Sequence, residues 1–511
     1  MNGHPEAVED PDPSSPHTDP GRRHATGDLR PTREEGLLSP RNRALTIGLV
    51  LTITLVAFEA LAISTVMPIV ARDFGRLDLY GWVFTSFMLG SLIGIVLAGG
   101  LIDRRGLALP FSLGLALFAV GLAAGGLAPS MEVLVLARFL QGLGAGTIPP
   151  IAYVAIGRRL TERQRPRMFA MLSTAWVLPG VLGPVIAGFV GEFLGWRAVF
   201  LGLLPLIGVA ALIAFPEVAR ISAAPSTGAD AAEHAAAASL RRRLPLAVLV
   251  AVGTGLILTG LGTGNTTLAV SLVVVGALLG LPALQRLTPR GTLRSARGLP
   301  TAVLLRGVAT FAFFGVDAYV ALTLVEWRGL SVIEAGISLT AATITWTAGS
   351  WVQARLSHQV APERFITLGL AVVAAGLAAF GLVLNPLVPT WLAVPAISLA
   401  GLGMGFAYSP MTLIVLKVAA PGEQGSASSA LSLTDSLGTA LGTGLTGALV
   451  AAAVRGGTDP AAGLAVGFGL AAAMALLGVA LSVRLRTHSP AGTATASTGP
   501  KVAGSPTRGL R

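Results

Sequence analysis

The sequence predicts an all-α polytopic membrane protein: two related six-helix bundles plus two inserted helices, fourteen spans in all. Three observations carry this. Of 511 residues, 53% are hydrophobic and only 12% charged, with mean hydropathy +0.74; a soluble domain averages about 25% charged. Apolar runs of roughly 20 residues, long enough to cross a hydrocarbon core, recur along the chain. The chain also repeats itself at an offset of 259 residues.

The elements follow in order. Residues 1–43 are rich in Pro, Asp, Glu and Arg and lack apolar periodicity, so they are expected to be a disordered cytoplasmic tail. They hold no short apolar core with a small-residue cleavage site, so no signal peptide is expected. Residues 44–215 form the N-terminal bundle, with spans at 44–67, 80–101, 109–128, 131–155, 168–191 and 198–215. Residues 216–243, Ala-rich and ending in Arg241-Arg-Arg243, are expected to be a cytoplasmic linker. The inserted pair, 244–285, has spans at 244–262 and 267–285, split only by Gly262-Thr-Gly-Asn-Thr266. After a cytoplasmic loop at 286–301, the C-terminal bundle takes 302–485, with spans at 302–325, 336–354, 366–384, 390–416, 426–452 and 462–483. Residues 486–511 are a second disordered cytoplasmic tail.

Charge tests the count. With both termini in the cytoplasm, the inner loops hold Arg104, Arg105, Arg158, Arg159, Arg163, Arg165, Arg167, Arg220, Arg241 to Arg243, Arg286, Arg290, Arg294, Arg297, Arg355, Arg364 and Lys417. The outer loops hold Arg72, Arg76, Arg197, Arg328 and Arg455. The bias is 18 to 5, as the positive-inside rule requires, and an odd number of spans would invert its second half. Twelve or fourteen spans both keep it; fourteen fits the apolar runs. The net charge of +11 is therefore topological and implies no nucleic acid.

The repeat lies in helices. Leu140-Gln-Gly-Leu-Gly-Ala-Gly146 matches Leu399-Ala-Gly-Leu-Gly-Met-Gly405, and the same offset carries Gly183 onto Gly442 and Gly188 onto Gly447. Span 5 contains Pro179, Gly180, Gly183, Pro184 and Gly188. Internal prolines suit a bilayer helix, where neighbouring helices satisfy the freed backbone groups. Gly180, Pro184 and Gly188 share one face, and a bend is expected at Pro184, which has no N–H for the carbonyl of Gly180.

An ionisable side chain inside lipid is costly and is a functional candidate by default. Glu59, Arg138, Asp317 and Asp435 stand well inside spans. Glu59 and Arg138 are expected to face each other across spans 1 and 4. A carboxylate beside an arginine in a low-dielectric site can couple a proton to a conformational change; a static ion pair that fixes packing is the other reading. Trp82, Phe87, Gln141, Trp176, Tyr319, Trp346 and Tyr408 are candidates for a substrate cavity, although most single residues of this kind in spans pack or anchor.

Five motifs resemble the major facilitator superfamily, and within it the drug:proton antiporters with fourteen spans. Gly99-Gly-Leu-Ile-Asp-Arg-Arg-Gly106 matches the loop G-x-x-x-D-R-x-G at Gly99, Asp103, Arg104 and Gly106. Glu59-Ala-Leu-Ala-Ile-Ser-Thr-Val-Met-Pro68 resembles the span-1 motif. Arg138-Phe-Leu-Gln-Gly-Leu-Gly-Ala-Gly146 is similar to the span-4 motif, and Trp196-Arg197…Phe200 to the opening of span 6. The Pro/Gly run of span 5 resembles the antiporter motif. The resemblance implies a major facilitator fold, an inner gate locked by Asp103 and Arg104, proton transfer through Arg138, and protons carried by Glu59 and other buried acids. Leu107 departs from the loop pattern, and Arg355 to Arg364 in the second half keeps little of it.

With no cysteine, no thiol nucleophile or disulfide is available. No metal cluster, cofactor motif or nucleophile–base pair is seen, so no enzyme is expected. The reading is a proton-coupled exporter of small amphiphilic or hydrophobic compounds in the plasma membrane, with substrate, protons and the lipid bilayer as partners and a monomer as the unit. An exporter of one lipid or metabolite, or a non-transporting sensor, are the alternatives.

Overall fold

The computed structural model describes residues 3, 36–161, 163–222, 229–418 and 424–485. Apart from residues 3 and 36–43, both expected tails lie outside the described residues. Those described contain helices and no strand. One half consists of α1 (Arg43–Phe74), α2 (Tyr80–Arg105), α3 (Ala108–Gly126), α4 (Met131–Arg159), α5 (Arg165–Thr174), α6 (Val177–Phe193), α7 (Trp196–Leu201) and α8 (Leu203–Ser222). Then come the inserted pair, α9 (Ala229–Gly262) and α10 (Thr266–Leu287). The other half is α11 (Leu299–Leu322), α12 (Val332–Leu356), α13 (Pro362–Leu382), α14 (Ala393–Val418), α15 (Gln424–Arg455) and α16 (Pro460–Ser482).

Twelve spans among the described residues are long and apolar enough to cross a membrane, α7 and α8 together making one. The sequence plan has fourteen. The two that fall short are α6, with 17 residues, and α12, which carries Thr340, Thr343, Thr345 and Thr347. Span 5 is not the continuous helix expected over 168–191. It breaks at Ala175-Trp176, and α6 carries Pro184 inside it. Pro179 explains the break: its ring crowds the carbonyl of Ala175, four residues back, and offers it no N–H. The expected linker at 216–243 is largely helical as well, since α8 runs on to Ser222 and α9 starts at Ala229; residues 223–228 lie outside the described residues.

Without a hydrophobic drive between helices in lipid, close backbone approach at small residues holds a bundle together. The repeated glycines do this in both halves. A Cβ at Gly142 or Gly146 would strike the backbone of Phe87 or Ser91 on α2, and one at Gly144 the backbone of α3. Their counterparts Gly401 and Gly405 meet Ala342 and Trp346 on α12, and Gly403 meets Gly369 on α13. Equivalent residues make equivalent contacts.

Two seams join the halves. At one, α6 lies against α12; at the other, α2 lies against α15. The inserted helix α9 covers the second seam, touching both α2 and α15, with Leu92, Ala247, Val250, Leu433 and Leu437 in one apolar cluster. The central helix is α11. It packs on α12, α14, α15 and α16 of its own half and on α1 of the other, and 83% of its span is buried.

Candidate functional site

Glu59 of α1 and Arg138 of α4 meet in the first half. Arg138 Nη1 donates to Glu59 Oε1 and, at 2.7 Å, to Gln141 Oε1; its Nε donates to the carbonyl of Val83 at 3.3 Å. The guanidinium stacks 4.3 Å over the ring of Phe87. Side-chain exposure is 3% for Arg138 and 0% for Glu59, so this pair is sealed. Phe87 and Gln141, candidates for a cavity wall, are instead buried as supports of this pair.

The second half has a pair of its own, and half of it escaped the sequence reading. Arg306 on α11 lies 2.9 Å from Asp435 on α15, Nε to Oδ1. The two atoms are out of line for a hydrogen bond, and neither has another hydrogen-bond partner. Arg306 sits 3.2 Å over the Tyr408 ring, and its Nη1 donates to the Tyr408 carbonyl at 2.7 Å. The Tyr408 hydroxyl donates to Asp435 Oδ2 at 3.3 Å. Here exposure is 8% for the arginine and 28% for the carboxylate. Arg306 was passed over because it falls near the end of an apolar run, where basic residues are usual. The available signal was spacing: Arg306, Phe313 and Asp317 stand at i, i+7 and i+11, on one helix face.

Asp317 is half-buried and makes no hydrogen bond or ion pair. It lies three turns, about 16 Å, from Arg306 along α11. Aromatic rings run beside that face. Phe313 meets Trp346 at 5.2 Å and Trp346 meets Tyr408 at 5.3 Å, both edge-on, with Phe314 6.3 Å from Trp346. All of these rings belong to the second half, and α11 also touches α1 of the first. Trp346 and Tyr408 are half-buried along this lane. Tyr319 is not part of it: fully buried, it donates to the carbonyl of Thr443 at 2.7 Å and packs between Gly81 and Gly447 at the α2–α15 seam. Trp82 lines a separate cavity of about 280 Å³ with Leu258 and Arg455, at one end of that seam. Trp176 caps the start of α6 and is 48% exposed.

The Pro/Gly face of α6 is the other seam. Gly180 abuts Thr343, Gly188 the backbone of Ile333, and Gly336 of α12 the carbonyl of Pro184. Thr340 donates to the carbonyl of Val181 at 3.2 Å, and Glu192 accepts the N–H of Val332 at 2.7 Å, capping α12. Pro179 is buried here, whereas Gly183 turns to Phe58 and Leu61 of α1, where a Cβ would sit at an ordinary contact distance of 3.7 Å.

In the signature loop, Arg104 is in the last turn of α2 and Gly106 follows at φ +69. A Cβ there would strike Ser222 Oγ, which accepts the N–H of Leu107 at 3.0 Å and thereby pins the loop to the end of α8. Gly99 has open space around it. The Asp103 side chain lies outside the described residues. At the opposite ends of the helices, Trp196 donates to Asp73 at 2.7 Å and Arg72 bridges the halves to Glu326 at 2.6 Å. Among the described residues, no three His, Asp or Glu side chains are grouped to hold a metal.

The chain is 27% identical to the Multidrug transporter protein MdtP of Bacillus subtilis (strain 168), over 79% of this chain and 74% of that one. It is 28% identical to the Methylenomycin A resistance protein of Streptomyces coelicolor, over 70% of this chain and 75% of that one. A solved structure of the peptide transporter POT in complex with sulfate superposes with a TM-score of 0.61 at 17% identity, covering 86% of this chain and 93% of that one, a likeness of fold. The family model of the Major Facilitator Superfamily matches residues 49–443, from the first helix of one half into α15 of the other. A match that takes in both halves places this chain in that superfamily: it belongs to the Major Facilitator Superfamily and is a multi-pass membrane transporter of small molecules, not an enzyme.

Proposed function

We propose that this chain is a proton-coupled antiporter of the plasma membrane that exports small amphiphilic or hydrophobic compounds, drugs or secondary metabolites, by alternating access. Asp317 carries the proposal. It is an acid inside a membrane span with no partner, on the helix face that continues from an aromatic lane of the second half. One carboxylate holds either a proton or the positive end of a substrate. Competition of that kind couples the flow of one to the counterflow of the other. The aromatic lane offers flat apolar surface to the body of the substrate.

Relatives named for multidrug transport and methylenomycin A resistance support drug export. The arginine bias of 18 to 5 supports cytoplasmic termini, so the bridged ends at Arg72 and Glu326 are outer and the halves meet on the outside. Both seams lie within one chain, which supports a working monomer. Asp103 and Arg104 act as the inner latch, and Glu59 with Arg138, and Asp435 with Arg306, complete the proton route.

The test uses purified protein in liposomes with a pH dye inside, screened over cationic dyes, antibiotics and lipids. Substrate addition to the wild type is expected to move protons. Asp317→Asn is expected to lower that movement at least tenfold while the protein still folds. Full proton movement in Asp317→Asn overturns the role of this residue, and none in the wild type with any transported compound overturns the coupling.

A further inference from the structure

The buried ion pair of the second half differs from that of the first in a way that bears on proton exchange. A pair kept for packing has its lone pairs and N–H groups satisfied, because desolvating two charges is otherwise uncompensated. Arg138 largely meets that condition through three aligned hydrogen bonds, with Glu59 Oε2 left without a partner. Arg306 and Asp435 do not: their nearest atoms are 2.9 Å apart but misaligned, Asp435 Oδ1 accepts no hydrogen bond, and 28% of the Asp435 side chain is exposed. The arginine, by contrast, is fixed. The Tyr408 ring lies under it, the Tyr408 carbonyl takes Nη1, and Thr412 Oγ1 is 3.4 Å from Nη2. A clamped cation thus stands beside a carboxylate that is partly exposed and accepts only one long hydrogen bond, from the Tyr408 hydroxyl.

We propose that Arg306 is a positioning residue for Asp435: clamped on Tyr408, it presents the carboxylate to the cleft and sets the pH at which Asp435 exchanges a proton. The inference rests on the proton-coupled reading but reaches past it, since it gives the second half a charge pair of its own with the opposite property, exchange rather than closure. The groups around Asp435 are few. Arg306 faces it from α11 and the Tyr408 hydroxyl from α14; Tyr153 of α4 is within electrostatic reach across the cleft. The α16 helix has no ionisable residue. Helices α2 and α9 pack on the other side of α15, against Leu433 and Leu437.

The test needs no substrate. The infrared carbonyl band of protonated carboxylic acids is titrated in the purified full-length protein, and Asp435→Asn assigns the component that belongs to Asp435. Arg306→Gln is expected to move its midpoint up by about 1–3 pH units, the effect of removing a cation within 4–6 Å. Arg306→Lys, which keeps the charge, is expected to stay within about one unit of wild type, the lower bound of the same effect. Tyr408→Leu removes the ring and the hydroxyl that donates to Asp435 but neither charge, and Tyr408→Phe removes the hydroxyl alone; Tyr408→Leu is expected to move the midpoint up by more than Tyr408→Phe, and that difference serves if Arg306→Gln does not fold. An unchanged midpoint in Arg306→Gln, or the same midpoint in Tyr408→Leu and Tyr408→Phe, overturns the proposal. So does a shift that survives in the Asp435→Asn background. Loss of substrate-driven proton flux in liposomes with a normal infrared response would instead count against the coupling reading alone.

Discussion

The two halves hold one arginine–carboxylate pair each, both with an aromatic ring against the guanidinium, and they are built to opposite ends. Glu59 and Arg138 are enclosed, 0% and 3% exposed, and Arg138 reaches a carboxylate, an amide and a backbone carbonyl. Asp435 is 28% exposed and its partner is held by other groups. The difference teaches where a load can be applied. A sealed pair exchanges a proton only once a movement of the helices opens it, because until then any change of charge leaves an uncompensated ion in low dielectric. An open pair can trade partners. Asp317, with no partner at all, is the limit of that series.

The largest effect should come from breaking the sealed pair. Glu59→Gln leaves Arg138 buried without its counter-ion and should cost about 3–5 kcal/mol, read as lost thermal stability of the purified protein. Glu59→Gln with Arg138→Gln should recover part of that; an additive double variant would show that the two do not act as a pair.

Next come the seam glycines. Gly180→Ala drives a methyl into Thr343 across the α6–α12 seam and should cost about 1–3 kcal/mol. Gly183→Ala, whose methyl would sit at an ordinary contact distance of 3.7 Å from Phe58, should stay within about 0.5 kcal/mol. Equal losses at the two positions would contradict the seam as described.

Asp435→Asn keeps the shape of the open pair and removes a partly exposed carboxylate whose one hydrogen bond, from Tyr408, is long, so its stability loss should be well below that of Glu59→Gln, about 1 kcal/mol. A loss matching that of Glu59→Gln would erase the contrast between the halves. The smallest effect is expected at the outer bridge. Arg72 and Glu326 are 55% and 28% exposed, so Glu326→Gln should cost about 0.2–1 kcal/mol and less still in high salt.

Much of this was legible in the chain. Span positions follow from apolar run length, since a bilayer admits only segments with all backbone groups paired internally. The repeat was legible because Gly142, Gly144 and Gly146 cannot change without a backbone clash, and neither can Gly401, Gly403 and Gly405. Glu59, Arg138, Asp317 and Asp435 stood out as charges in apolar runs. Arg306 did not, because basic residues near span ends are ordinary. The cavity list did not separate Phe87, Gln141 and Tyr319, which are buried in packing, from Trp346 and Tyr408, which are half-buried, since an aromatic or amide in a span reads the same whether it lines a cleft or fills a seam.

The sequence by itself therefore determined the all-helical fold, the doubling of the bundle and which residues carry charge into the membrane, because hydrophobicity, proline and glycine act locally along each helix. Only the tertiary structure decided which charges meet, that one pair is closed and the other open, and that the prolines and glycines of α6 form a seam with α12. Those facts depend on the rotation and depth of helices far apart in the chain. That geometry is fixed by packing between helices and is not written in the pattern of any one of them.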